Sequence, residues 1–462
     1  MKQAPSMMDA AALARADANA VPYPSAAVGW YATVMLAFLY WLSLLDRYII
    51  SLLVDPIKRD LGISDVHFGV LHGLAFVLSF TLFGLVFGAL ADRVNRRWVI
   101  YVGVSVWSLA TMLCGVAQSF WHLLLARVGV GAGEAALNPC ATSMIADLFP
   151  RERLTSAMAV YAIGATVGSG TALVVGGAIV DLVAGVGAFT LPIVGEVRPW
   201  HIVFFIVGVP GTLLALLIFT VPEPVRRGPR QLAPGGSSWA MAYGRLFRFI
   251  RARPRFFFAH YGGFTLASAV ITGCAAWYPV HMTRAFEWNA GRIGLVLGLT
   301  LMGSGVLGKL ICGWAVDAMY RRGYRDAQLR WYAGCLVVAT PIGILGLTSA
   351  NPWFFLVAIG TLMVLISGMI ACAMAALNLI TPNDLRGSGV AIFATVSGLI
   401  GGGSGSLVVA LASEHLFSGA TSIGLGMATL IGIACPLGAG LLLYGLPAMR
   451  AAMAEVERVA KA

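Results

Sequence analysis

The chain has 462 residues, of which 59% are hydrophobic and 11% charged, with a mean hydropathy of +0.85. That much apolar surface exceeds what a soluble core can hide, so lipid must be the solvent for most of it. The formal charge of +11, from 31 Lys and Arg against 20 Asp and Glu, serves membrane orientation and attraction to anionic lipid heads, and no nucleic-acid partner is expected.

In chain order, residues 1–28 are Ala-rich and weakly charged, lack a short apolar core with a cleavage site, and read as a cytoplasmic tail without a signal peptide. A membrane crossing needs about 20 apolar residues, and the chain supplies roughly twelve such runs. They are predicted at 29–54, 66–91, 98–119, 122–147, 154–182, 200–221, 256–282, 292–318, 330–349, 353–380, 387–412 and 420–448. Turn and charge signals such as Asp60-Leu-Gly-Ile-Ser64 and Phe149-Pro-Arg-Glu-Arg153 separate them. Sustained period-two alternation is absent, which argues against a barrel. The predicted fold is an all-α integral membrane protein of two six-helix bundles, 29–221 and 255–449, with a C-terminal tail at 450–462.

The bundles are joined by a basic linker, 222–254, whose segment Trp239–Ile250 is predicted to form an amphipathic helix on the inner leaflet. Its simpler role is that of a solvated connection obeying the positive-inside rule. About 23 of the Lys and Arg fall at the termini and in alternate loops, which places both termini in the cytoplasm of a bacterial inner membrane. The seven cysteines all lie inside predicted spans without metal-ligand spacing, so neither a disulfide nor a metal is expected.

A repeat relates the two halves. Gly88-Ala-Leu-Ala-Asp92-Arg93-Val-Asn-Arg96-Arg97 recurs as Gly313-Trp-Ala-Val-Asp317-Ala-Met-Tyr-Arg321-Arg322, each copy closing a long apolar run. A duplicated bundle with the same charged hinge at the same depth has the anatomy of an alternating-access transporter.

A charge in mid-bilayer costs at least about 2.5–3.5 kcal/mol, so each one that persists is a functional candidate. Asp46 and Arg47 lie inside span 1, Arg127 and Glu134 share one face of span 4, and Lys309 lies in span 8. Asp46 is expected near Arg127 or Glu134, and Arg47, about 100° around the helix, toward a neighbouring helix or the substrate. Desolvation and a neighbouring guanidinium act on Glu134 in opposite senses, which suits a proton carrier. The alternative for these charges is a static lattice holding helices together. Lys309 is about 12 Å along its helix from Asp317, within reach of snorkelling to the cytoplasmic end.

Other residues are read more simply. Gly129, Gly131 and Gly133 lie in an apolar helix and serve close packing rather than nucleotide binding, as do Gly164, Gly168 and the 401–403 run. His67, His72, His281 and His415 are expected near the outer span ends as hydrated or capping side chains. Tyr48, Tyr161, Tyr261, Trp277 and Tyr278 are candidate cavity-lining aromatics. No nucleophile with a base, metal cluster or phosphate-binding turn is present, so neither an enzyme, a cofactor nor an ATP-driven pump is expected.

The twelve spans, the Gly88–Arg97 motif and the Arg127-x-x-x-Gly131-x-Gly133 signature resemble the major facilitator superfamily over essentially the whole chain. Asp46-Arg47-Tyr48, Asn95, Trp107-Ser-Leu109, Glu134-Ala135, Ile145-Ala-Asp-Leu-Phe149 and Gly168-Ser-Gly170 further resemble a bacterial member of the spinster-like family. The resemblance implies proton-linked movement of amphipathic lipids such as lysophospholipids or sphingoid bases. It implies that Asp46, Arg127 and Glu134 form the coupling centre, and that Arg47, Arg127, Glu134 and Lys309 face the substrate. It also implies that Asp92, with Arg93, Arg96 and Arg97, forms a cytoplasmic latch favouring the outward-open state, weaker in the second copy, where Ala318 follows Asp317. A symporter of small organic anions such as sugar acids is the alternative, and a non-transporting receptor or scaffold the alternative of another class. A monomer is expected, since each half-bundle can supply its own cavity wall.

Overall fold

The computed structural model describes residues 22–91, 93–192, 195–226, 239–382 and 385–461. Asp92, and with it the predicted centre of the latch, lies outside the described residues, as do 1–21 of the tail and 227–238 of the linker.

Eleven helices are long and apolar enough to cross a membrane. Numbered to match the predicted runs, they are span 1 (Ala26–Leu52), span 2 (Asp65–Gly88), span 3 (Arg96–Cys114), span 5 (Ser156–Val183), span 6 (Pro199–Thr220), span 7 (Pro254–Phe286), span 8 (Ala290–Arg321), span 9 (Ala327–Leu347), span 10 (Pro352–Ile380), span 11 (Ser388–His415) and span 12 (Ser422–Val456). Span 4 is the twelfth, and it is two helices, Phe120–Glu134 and Leu137–Leu148, rather than the single predicted one. Pro139 explains the break: it has no N–H to donate, and its ring collides with the carbonyl of Ala135. Span 10 is also interrupted, at Ser367 and Gly368, with no proline at the break.

Spans 1–6 pack as one bundle and spans 7–12 as a second. A helix at Trp239–Ala252 belongs to the linker, and the loop before span 6 holds a two-stranded ribbon, Phe189–Leu191 with Gly195–Val197. At three residues a strand, the ribbon is too short to show as alternation in the sequence. The seven cysteines are all buried.

Twelve crossings bring both termini to one end of the molecule, and at the opposite, far end the bundles are closed against each other. Spans 5 and 8 approach so tightly there that a Cβ on Gly170 would stand 2.5 Å from the carbonyl oxygen of Gly298, and one on Gly177 2.4 Å from that of Ala290. Spans 2 and 11 do the same, a Cβ on Gly73 falling 2.8 Å from the Gly403 oxygen. Small residues thus let backbones touch where lipid gives no hydrophobic drive.

A charged cluster seals the same end. Arg284 of span 7 pairs with Asp55 at 2.7 Å and with Asp65 at 2.8 Å, and Lys58 pairs with Asp65 at 2.5 Å. Glu414 accepts from the Val66 N–H at 3.1 Å, and Asn289 donates to Asp181 at 2.9 Å. All but the Lys58–Asp65 pair cross between the bundles. At the end that bears the termini, by contrast, Gly84, Gly88, Gly303 and Gly313 have open space where a side chain would stand. The bundles are therefore closed against each other at the far end.

Removing Arg284 takes away the guanidinium that Asp55 and Asp65 share, leaving Asp65 with Lys58 alone, and should loosen the far end. A Cys placed at the buried Ser406, where spans 2 and 11 meet, should then react with a membrane-impermeant maleimide at least about tenfold faster in Arg284→Ala, since losing one partner of a part-buried pair exceeds the 1.4 kcal/mol that a tenfold change requires. Equal labelling rates would show that the cluster does not hold the closure.

Candidate functional site

The candidate site lies in the first bundle, where spans 1, 2, 3 and 4 converge. Close packing of spans 3 and 4 creates it: a Cβ on Gly133 would stand 2.5 Å from the Trp107 nitrogen, and one on Gly131 2.3 Å from Ser79 Oγ of span 2. Glycine at these positions draws Arg127 and Glu134 against spans 1 and 2.

Glu134 is fully enclosed. Its Oε2 accepts from Arg47 Nη2 at 2.5 Å and from Ser43 Oγ at 2.9 Å, both on span 1, while Oε1 has no hydrogen-bond partner. Arg47 therefore turns toward span 4, and its pairing is with the carboxylate itself. Asp46, 2% exposed, points instead beside Trp107 and Thr111 of span 3, with Oδ1 unpartnered. Its electrostatic neighbours are Glu134 and Arg127, so the four charges form one group.

Arg127 is 1% exposed and its single hydrogen bond is a long one, from Nη1 to the Asp46 carbonyl oxygen at 3.4 Å. Its Nε and Nη2 have no partner. Desolvated polar atoms of this kind are costly, and buried guanidinium groups are normally satisfied. Arg127 thus has donor capacity left for an incoming anion.

Span 2 supplies an apolar wall of rings at four-residue spacing. Phe76 lies under both guanidinium groups, with Arg47 Cζ 4.7 Å and Arg127 Cζ 5.5 Å from its centre, and Phe80 lies 5.4 Å from Arg47 Cζ. Such contacts hold a cation against an aromatic face without neutralising it. One turn before Phe76 comes His72, stacked on Phe68 with 6.1 Å between ring centres. Arg47 and Arg127 both act electrostatically on His72, and its Nδ1 is buried without a partner while the ring stays partly exposed.

His72 is thus a member of the site and not the outer capping histidine expected. Its helix runs as a π-helix over Val70–Ala75, a local widening frequent at functional positions. The signal available beforehand was the Phe68, His72, Phe76, Phe80 spacing, which puts one polar ring in an aromatic row. His281 is likewise buried, with neither ring nitrogen bonded, and His260 bonds the Ala373 carbonyl oxygen at 2.8 Å.

Lys309 does not snorkel to Asp317. Its Nζ donates to Thr166 Oγ1 of span 5, across the boundary between the bundles. Of the aromatic candidates, Tyr161 stacks on Tyr40 and donates to Asn138 at 2.6 Å. Trp277 and Tyr278 are fully buried, Trp277 packing across the boundary on Phe68 of span 2 with 5.7 Å between ring centres.

The repeated motif behaves differently in its two copies. Arg96 is fully buried inside the first bundle, where its guanidinium meets Asp147 at 2.5 Å, Glu223 at 2.9 Å, Ser143 Oγ at 2.9 Å and the Pro224 carbonyl oxygen at 2.9 Å. Arg97 has its backbone N–H and guanidinium directed at Glu223 and the Val221 carbonyl oxygen. These two arginines bind the start of the linker to spans 3 and 4, whereas Arg93 is exposed. In the second copy Gly313, Asp317, Arg321 and Arg322 are all exposed. Asp147 and Glu223 are functional partners that sequence reasoning did not assign.

Comparison with known proteins agrees with this architecture. The Major Facilitator Superfamily profile matches residues 36–406. An "MFS-type efflux pump" of Mycolicibacterium smegmatis is 27% identical over 423 residues, covering 91% of this chain and 93% of that protein. "Protein spinster homolog 1" of Xenopus laevis is 29% identical over 258 residues, 54% of this chain and 45% of that protein, so the match spans about half of that relative's length. A crystal structure of a bacterial homolog of the human lysosomal transporter Spinster, in an inward-facing and unoccupied conformation, superposes with a TM-score of 0.72 at 23% identity, covering 93% of this chain and 97% of the other. With twelve crossings, a duplicated hinge motif and these similarities, the chain belongs to the Major Facilitator Superfamily of membrane transporters, is similar to its spinster-like members, and is not an enzyme.

Proposed function

We propose that this transporter is proton-coupled and carries an amphipathic anion, of lysophospholipid or sphingoid-phosphate type, together with a proton, by rocking its two bundles about the site in the first. The observation that carries this reading is the charge balance of the buried group: Asp46 and Glu134 against Arg47 and Arg127. With both carboxylates ionised the group is neutral. One proton on either carboxylate leaves a buried guanidinium uncompensated, a costly state that an anion relieves. Proton and anion therefore favour each other's binding, and linkage makes the effect reciprocal.

The surroundings favour an amphipathic molecule over a small sugar acid. Phe80, half-buried and stacked on Phe76, offers an acyl chain an aromatic face beside the guanidinium groups, and His72 offers the head group one further polar contact. Lys309, held at Thr166 between the bundles, supplies the second bundle's charge. A small organic anion would use the same arginines without the wall, so shortening a ligand's acyl chain at constant head group separates the two readings: lost binding supports the amphipathic one.

With the termini in the cytoplasm of a bacterial inner membrane, as the arginine distribution favours, the closed end faces outward. Arg96 and Arg97 then act in the latch indirectly, by fixing the linker to the first bundle, and Asp92 with Arg93 are left to meet the second bundle when the inner side closes.

Two outcomes are expected. In liposomes with an internal pH dye, lysophospholipid should drive proton entry through the wild type and not through Glu134→Gln, while His72→Ala should raise the half-saturating ligand concentration and keep the proton signal. Proton movement retained in folded Glu134→Gln would refute the coupling role. Separately, Arg96→Gln leaves Asp147 and Glu223 facing each other in a buried setting and should cost about 3–5 kcal/mol, seen as a clear fall in unfolding temperature in detergent that Arg93→Gln does not share.

A further inference from the structure

The linker helix Trp239–Ala252 lies against the start of span 7, and between them runs a groove of 430 Å³. Its walls are Phe247, Ile250, Pro254, Phe257, Phe258 and Tyr261, with Arg251 at its edge. Fixed contacts make it a preformed feature. Leu246 is fully buried beneath the helix, Phe257 packs on Phe249 and Tyr261, and the Tyr261 hydroxyl donates to the Gly389 carbonyl oxygen at 3.1 Å. Phe247 and Phe258 meanwhile stand about two-thirds exposed, a cost unless something apolar covers them.

The charge around the groove has one sign. No Asp or Glu occurs between Glu223 and Glu287 in the sequence, while Arg245, Arg248, Arg251, Arg253 and Arg255 crowd the helix and its exit. Two of these are committed elsewhere: Arg253 pairs with Glu455 at 2.6 Å, and Arg255 covers Tyr444 and bonds its carbonyl oxygen. Arg248 and Arg251, one helical turn apart, are exposed. An apolar trough of ligand-pocket size with Arg251 at its edge and Arg248 one turn away on the same helix fits a molecule with an acyl chain and an anionic phosphate.

We propose that this groove binds one anionic phospholipid, its acyl chain against Phe247, Phe257 and Phe258 and its phosphate against Arg248 and Arg251. The lipid then joins the linker to the second bundle, at a site separate from the transport centre and independent of the substrate carried. Guanidinium forks suit phosphate oxygens better than an ammonium would, and the head group sits at the depth where the first turn of span 7 begins.

The test titrates the purified full-length protein in detergent with phosphatidylglycerol and with phosphatidylcholine of the same chains, counting bound lipid by native mass spectrometry. Phosphatidylglycerol should be retained preferentially, and Arg248→Gln with Arg251→Gln should weaken it about 30-fold, two surface arginines being worth about 1 kcal/mol each, with phosphatidylcholine unchanged. Equal retention of the two lipids, or an undiminished preference in the double variant, overturns the proposal. Displacement of phosphatidylglycerol by millimolar inorganic phosphate would assign the rim to free phosphate and overturn it as well. Phe258→Ser, a change at an exposed side chain, serves if the double variant does not fold: it should weaken long-chain phosphatidylglycerol and spare the dihexanoyl form, and equal effects on both would count against the acyl-chain groove.

Discussion

The rest of this structure depends on the requirement that every charge taken into the bilayer be balanced where it lies. Four ionisable groups converge in the first bundle, two acidic and two basic, with Glu134 held by Arg47 and Ser43 and Arg127 left short of partners. Desolvation penalties of this size cannot be met one residue at a time. They dictate that Gly131 and Gly133 stay small so that span 4, packed on spans 2 and 3, brings its two charges to span 1. The same requirement acts at the membrane edges, where Arg96 is enclosed with Asp147 and Glu223 at one end and Arg284 with Asp55 and Asp65 at the other.

These three clusters do different work because they differ in what they join. The Arg96 cluster lies within one bundle and moves with it as a rigid part. The Arg284 cluster crosses between bundles and must break if the far end is to open. The central group lies within the first bundle and reaches the boundary through the span 2 ring row, whose Phe68 packs on Trp277 of span 7. Only groups that cross the boundary, or present themselves to it, can bias a rigid-body equilibrium, since a ligand shifts a population only through its differential contacts with the two states.

The fold was legible in the sequence because its determinants are local. A run of about 20 apolar residues has few alternatives to a membrane helix, and the repeated hinge motif announced the duplication. The break in span 4 was legible in principle from Pro139. The site was legible as a list of charges, since Asp46, Arg47, Arg127 and Glu134 stand out against apolar neighbours. What could not be read was the pairing. Whether Arg47 turns to Glu134 or to substrate depends on the rotation of span 1 against span 4, which is set by glycine contacts that look alike from the sequence. The pairing of Arg96 was hidden for a similar reason: its partners Asp147 and Glu223 lie 51 and 127 residues away. His72 was passed over because a position near a span start suggests hydration, and its π-helical turn, which no composition rule marks, sets it in the aromatic row instead.

The two π-helical turns, Val70–Ala75 in span 2 and Ser397–Gly402 in span 11, connect the site to the closure. Spans 2 and 11 touch at this level, backbone to backbone, with Gly73 against Gly403. A π turn leaves its hydrogen bonds offset from the α-helical ladder, so reverting to α geometry rotates the residues beyond it. In span 2 the turn itself holds His72 beside the guanidinium groups of Arg47 and Arg127 and Gly73 against span 11. The charge state of the central group and the separation of the bundles at the far end therefore act on the same short stretch of backbone. A bound anion that draws Arg47 or Arg127 away from the span 2 rings changes what that stretch packs against, and this gives the site in the first bundle a physical route to the boundary it does not itself cross.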